Sequence, residues 1–191
     1  MKNSLILIIL FFSNQLIGQE IVRMKDTYID GNLVYKVVND SLFNGIANHK
    51  RKNGHLVYEE EFENGVILLS RMYFNGKKKR VSSEIIYNST KPYVISKENL
   101  YNLESEIFKI ITYNNDGVKI LVEQFKKGKL IYSCQYSGKK KHGIELGYSE
   151  SGEILIHSCE YKKGKKDGEE LCTDKEGKKT IRKYKKGRKI K

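Results

Sequence analysis

From residue 19 onward, apolar and polar residues alternate in short blocks separated by glycine. In "EILIHSCEY" (153–161), Leu155, His157, Cys159 and Tyr161 fall on one face, and Ile154, Ile156, Ser158 and Glu160 fall on the other. Successive side chains of a strand leave opposite faces, so a period of two over eight or nine residues signals a strand. Asn-Gly at 44–45, 53–54, 64–65 and 75–76, and Asp-Gly at 116–117 and 167–168, supply the residues that tolerate positive φ in tight hairpin turns. The pattern predicts an all-β chain: an elongated antiparallel meander of repeated β-hairpins in a single twisted sheet. Three blocks follow: N-terminal hairpins over 19–76, a degenerate or inserted unit over 77–110, and C-terminal repeats with a basic end over 111–191. The middle block holds the single proline, Pro92, and its 97–109 stretch is compatible with a helical turn or two.

The repeat is clearest near the C-terminus. "LIYSCQYSGKKKHG" (130–143) and "LIHSCEYKKGKKDG" (155–168) align with an offset of 25 at Cys134/Cys159 and again at Gly143/Gly168. An aromatic residue three before a glycine recurs at Phe62–Gly65, Tyr73–Gly76, Phe125–Gly128, Tyr161–Gly164 and Tyr184–Gly187. One hairpin alone is marginal in water, so stacked units must cooperate.

These motifs resemble the MORN-repeat variant family of bacteria. The best matches are 143–168, 168–189 and 42–65, and the preceding 31–45 resembles the lead-in strand pair of such arrays. Ile144, Glu169 and Thr173 stand where that pattern has aromatics. The resemblance implies a β-hairpin scaffold with protein or membrane-surface contacts, and members are often labelled antitoxin-like. It implies no catalytic residues and no cofactor.

The N-terminus adds a compartment. Lys2, an apolar run from Leu5 to Phe12 and a polar stretch ending at Gly18 have the pattern of a secretory signal peptide (1–18) cleaved near Gly18. An exported chain (periplasm, envelope or secreted) is expected. The run is too short to span a bilayer as a helix, and no later segment is apolar enough to do so.

The formal charge of +13 is unevenly placed. Nine basic residues and no acid lie in 177–191, leaving only +4 for residues 1–176. Lysines recur at the same place in successive units: Lys140 and Lys141, then Lys163, Lys165 and Lys166, then Lys185 and Lys186. They form a row of basic turns at one end of the sheet. Such a row either contacts an anionic partner or simply keeps the chain soluble and its strands apart. Only six of the 36 basic residues are Arg, and with export this makes nucleic acid the weakest partner. An anionic envelope component or a protein fits better, and a sheet with one apolar face also suggests self-association.

Little else suggests chemistry. His157 and Cys159 are two apart on one face, as a nucleophile and base or half a metal site would be. Tyr132 replaces His157 in the sister repeat, so the repeat itself accounts for the position, and no metal-ligand spacing is present. Cys134 and Cys159 are expected two strands apart, too far for a bridge. Cys159 and Cys172 are the better-placed disulfide pair, given a tight turn at Lys165-Lys166. "YEEEFEN" (58–64) reads as a solvated edge rather than a calcium loop. The expected function is therefore an exported, non-enzymatic repeat scaffold. The alternatives are an antitoxin or immunity-type protein and a hydrolase using Cys159 and His157.

Overall fold

The structure is a computed structural model and describes residues 19–191. The signal-peptide reading lies outside the described residues. Among the described residues fourteen strands form one open sheet. β1 (Ile21–Arg23) pairs in parallel with β4 (Gly45–Lys50), and every later neighbour is antiparallel. The meander continues through β5 (Leu56–Glu63), β6 (Val66–Tyr73), β7 (Val81–Tyr87), β8 (Ile95–Tyr101), β9 (Ile107–Tyr113) and β10 (Lys119–Lys126). It ends with β11 (Lys129–Ser137), β12 (Lys140–Tyr148), β13 (Leu155–Lys162), β14 (Lys165–Thr173), β15 (Lys179–Lys185) and β16 (Arg188–Ile190). β2 (Thr27–Asp30) and β3 (Leu33–Lys36) form a separate hairpin. The all-β meander of consecutive hairpins is thus the fold. Among the described residues no helix is long and apolar enough to cross a membrane.

The turns explain the hairpins. Asn64-Gly65, Lys127-Gly128, Lys163-Gly164 and Lys186-Gly187 all have positive φ at both residues, for example 53° and 84° at Lys163-Gly164. That is the two-residue geometry whose twist matches paired strands. Longer turns are closed by side chains instead. The Asn114 Oδ1 accepts the N–H groups of Asp116 and Val118, and the Asp174 Oδ1 accepts those of Glu176 and Lys178.

The middle block is regular. Residues 81–113 supply β7, β8 and β9 with no break in the ladder, and Pro92 lies in the loop between β7 and β8. The 97–109 stretch is β8 and the start of β9 rather than helical turns. Asn102 closes it, its Oδ1 accepting the N–H groups of Glu104 and Glu106. Strand neighbours on both sides satisfy this backbone and outweigh a weak local helix preference.

Strict alternation fails at one position in most strands. Val57, Leu68, Ser82, Ser96, Phe108, Ile120, Ile131 and Ile156 are each skipped in one pairing, near the start of their strand. Each is an inserted bulge residue, and six of the eight are apolar, so what alternation alone reads as a face is re-aimed there. Larger irregularities set His142–Ile144 opposite Gln135 and Asp167–Glu169 opposite Glu160. Gly143 (φ +97°) and Gly168 (φ +128°) take the backbone conformation this requires.

The apolar core sits at the N-terminal end. Val34, Phe43, Ala47, Phe62 and Ile67 are buried together, with Tyr87 and Tyr93 packed alongside. The β2–β3 hairpin is fastened to the sheet by backbone: the Val34 N–H donates to the Gly65 carbonyl, Phe43 to Val34, and Gly65 to Phe43. This hairpin caps the array, as terminal units of repeat proteins do.

Candidate functional site

Two features stand out, a basic edge and a polar seam beneath it. Connections alternate between the two ends of the sheet. The turns at 138–139, 163–164 and 186–187 therefore share one end, where the lysine repeat places them. They are also joined. The Gly164 N–H donates to the Lys141 carbonyl and the Gly187 N–H to the Lys166 carbonyl, both at 2.8 Å, and the Gly138 N–H donates to Lys119. Each turn leans on the strand that follows the previous turn, so the row is continuous.

The seven lysines divide into two groups. Lys140, Lys163, Lys165, Lys185 and Lys186 are exposed. Lys141 and Lys166 are half-buried and turned inward. Lys141 binds Glu145 and lies 5.0 Å from the Tyr161 ring centroid, and Lys166 does the same with Glu170 and Tyr184. Among the described residues none of the five exposed lysines has an acidic partner within salt-bridge distance. The opposite end of the same strands carries acids among its lysines, with Lys126 paired to Glu150 and Lys129 to Glu153 across neighbouring turns. A further basic groove, about 760 Å³, lies at that opposite end near β4–β7 and includes Lys50, Arg51, Lys77 and Lys79. It was not apparent from the recurring lysines, because its basic residues come from two connections at the other end of the sheet, β4–β5 and β6–β7.

The seam runs along one sheet face through the cross-strand series Val122, Cys134, Glu145, Cys159, Glu170, all buried. Taller neighbours shield these small and acidic groups. Tyr132 donates to the Glu145 Oε1 at 2.6 Å, and Tyr184 donates to the Glu170 Oε2 at 3.1 Å. Burial opposes ionisation of Glu145, but hydrogen bonds from Lys141 and Tyr132 outweigh it and hold its pKa below the usual carboxylate value. The Lys166 hydrogen bond lowers that of Glu170. Burial pushes the Cys134 and Cys159 thiols up, the reverse of what a nucleophile needs.

The acidic stretch at 58–64 differs from its reading as a solvated edge. β5 is an interior strand, and Glu59 is buried, accepting from Tyr73 with Arg71 and Lys79 beside it. Sequence had no signal for this, because the partners come from β6 and the loop after it.

The thiols are also re-sorted. The turn falls at Lys163-Gly164, not Lys165-Lys166, and the irregularity at Asp167–Glu169 shifts the register again, so that Cys159 opposes Glu170 and Cys172 opposes His157. Cys159 and Cys172 are then diagonal neighbours, about 7–8 Å apart by ordinary sheet geometry, beyond the usual disulfide limit of about 7 Å. All three cysteines are free. Mass mapping after alkylation without reductant is expected to find three modified thiols; a peptide pair linking 159 to 172 would contradict this register. The thiol beside His157 is thus Cys172, with Sγ 3.8 Å from Nδ1.

Compared with known proteins, the chain matches no family model and no curated sequence.

Proposed function

We propose that this protein is an exported, non-enzymatic β-hairpin scaffold whose basic edge holds it against an anionic envelope surface. The observation that carries this reading is the asymmetry between the two ends of the C-terminal strands. One end carries acids that pair with two of its lysines, Lys126 and Lys129; the other stacks three turns whose exposed lysines have no acidic partner among the described residues. Solubility alone would be served by lysines at either end. A stacked row of like charge is unfavourable for the free protein and favourable only opposite an anion. The resemblance to MORN-repeat variants supports a scaffold role, and the raised pKa of Cys159 weighs against the hydrolase alternative. The face opposite the seam adds a protein-binding surface, where exposed Ile144 and Ile181 flank half-buried Leu146 and Leu171.

The test is cosedimentation of residues 19–191 with phosphatidylglycerol-containing and pure phosphatidylcholine vesicles. Binding is expected only to the first, and to weaken with salt. Changing Lys140, Lys163, Lys165, Lys185 and Lys186 together to Gln is expected to lower binding at least about 30-fold, since a lysine near an anionic bilayer is worth up to about 1 kcal/mol before screening. Changing Lys126, Lys127 and Lys129 at the other end serves as control. Equal losses per lysine removed in both variants would reduce the effect to net charge and remove the basic edge.

A further inference from the structure

We propose that His157, Glu170 and Cys172 form a binding site for a zinc-class divalent cation. The three residues lie on one sheet face. His157 and Cys172 are direct cross-strand partners on β13 and β14, and Glu170 is two residues before Cys172. One ligand atom from each, an imidazole nitrogen, a thiol sulfur and a carboxylate oxygen, lies within 4.8 Å of the other two. Ligand atoms around tetrahedral zinc are about 3.3–3.8 Å apart, so the His157–Cys172 separation of 3.8 Å already fits and only Glu170 must close in. One soft thiolate, one imidazole and one carboxylate suit a borderline cation rather than calcium or magnesium, which take oxygen alone.

A second observation points the same way. The other nitrogen of His157, Nε2, lies 3.7 Å from the Glu145 Oε2. A ligating histidine commonly donates its remote N–H to a carboxylate, which fixes the tautomer and turns the free nitrogen toward the metal. The gap is longer than a hydrogen bond, so the ring must close on Glu145 by several tenths of an ångström as the cation binds, and Glu145 is itself anchored by Lys141 and Tyr132. Glu170 is likewise held by Lys166, Tyr184 and Arg182. A carboxylate offers about four lone-pair positions, so it can keep these partners and still reach a cation. Lys166 and Arg182 make the site less negative and limit its affinity.

The repeat shows that the site is specific to one unit. In the sister repeat Tyr132 stands in place of His157, and the strand partner of both is Gly147. Cys134 and Cys159, the repeated thiols, are buried, whereas Cys172 and His157 are half-exposed and open to an ion. On binding, Cys172 loses its thiol proton to solvent and the sulfur–metal bond forms, with His157 neutral and no redox change.

Cobalt(II) is the direct probe, because its bond to a thiolate gives a charge-transfer absorption that oxygen and nitrogen ligands lack. Titrating the chain with Co²⁺ is expected to give this band at one equivalent, and Zn²⁺ to displace it. Cys172→Ser should abolish the band, and His157→Gln should weaken binding at least about 10-fold. Both positions are partly exposed, and circular dichroism would verify that each variant folds. As an independent measurement, Zn²⁺ is expected to slow alkylation of Cys172 in the folded wild-type protein. No band with Co²⁺, a band that survives Cys172→Ser, or unchanged alkylation with Zn²⁺ would overturn the site.

Discussion

Replacing Phe43 with Ala is expected to destabilise the protein by about 3–5 kcal/mol, the usual cost of emptying a fully buried aromatic position. Phe43 is wholly inaccessible, and its ring centroid lies 5.7 Å from that of Phe62. Its backbone is also part of the junction, donating to Val34 and accepting from Gly65. Truncation therefore leaves a void between cap and sheet that the hydrogen-bonded junction cannot close. Elsewhere much of the chain is a single layer, so few other sites have comparable packing to lose. Urea unfolding measures the effect. Val38→Ala, on a side chain that is 84% exposed, should change stability by less than about 0.5 kcal/mol. A loss below about 1 kcal/mol for Phe43→Ala would show that the β2–β3 hairpin does not cap the array.

The second large effect concerns the seam. Glu145→Ala is expected to cost about 2–4 kcal/mol, because it strands the half-buried Lys141 ammonium and the Tyr132 hydroxyl without their acceptor. The repeat offers its own control. Val122 occupies the matching place on β10, opposite the same Cys134 that faces Glu145. The double change Glu145→Val with Lys141→Met should therefore recover most of the loss, since an ion pair replaced as a unit by apolar groups is often neutral. The pH dependence has a definite sign. Glu145 and Glu170 have lowered pKa values in the folded chain, so their contribution is complete above the unfolded carboxylate value of about 4.3. It is lost as pH falls through their folded values. Wild-type stability should drop steeply below about pH 4.3, and the double variant less so. Identical acid profiles would remove Glu145 as a source.

The hairpins were legible because their signals are local. A glycine that must take positive φ and a run of alternating residues are properties of a few neighbours. The separation of Cys134 from Cys159 by one strand followed from the same logic, and β12 lies between them. What escaped depends on register. The bulges at Leu68, Ile131 and Ile156 each shift pairing by one residue while leaving composition unchanged. The turn at Lys163-Gly164 and the irregularity at Asp167–Glu169 together moved Cys172 from Cys159 to His157. Two residues of slip in a turn with four lysines cannot be read from charge alone. Burial of Glu59 and Glu145 escaped for another reason. Their cations come from positions that composition assigns to solvent, and a single layer buries small groups under long neighbours rather than under a second sheet.

The β2–β3 hairpin covers one end of the sheet, whereas at the other end β16 is three exposed residues held, among the described residues, by β15 alone. Fraying therefore has a direction. Local opening should begin at β16 and advance unit by unit toward the apolar core, giving amide exchange that slows steadily from residue 190 back to residue 62. Because the basic turns lie in the units nearest that edge, opening removes them singly, first 186–187 and then 163–164. The charge that the edge presents is thus graded by how far the ladder has closed, and a partner that grips those turns would zip the loose end shut.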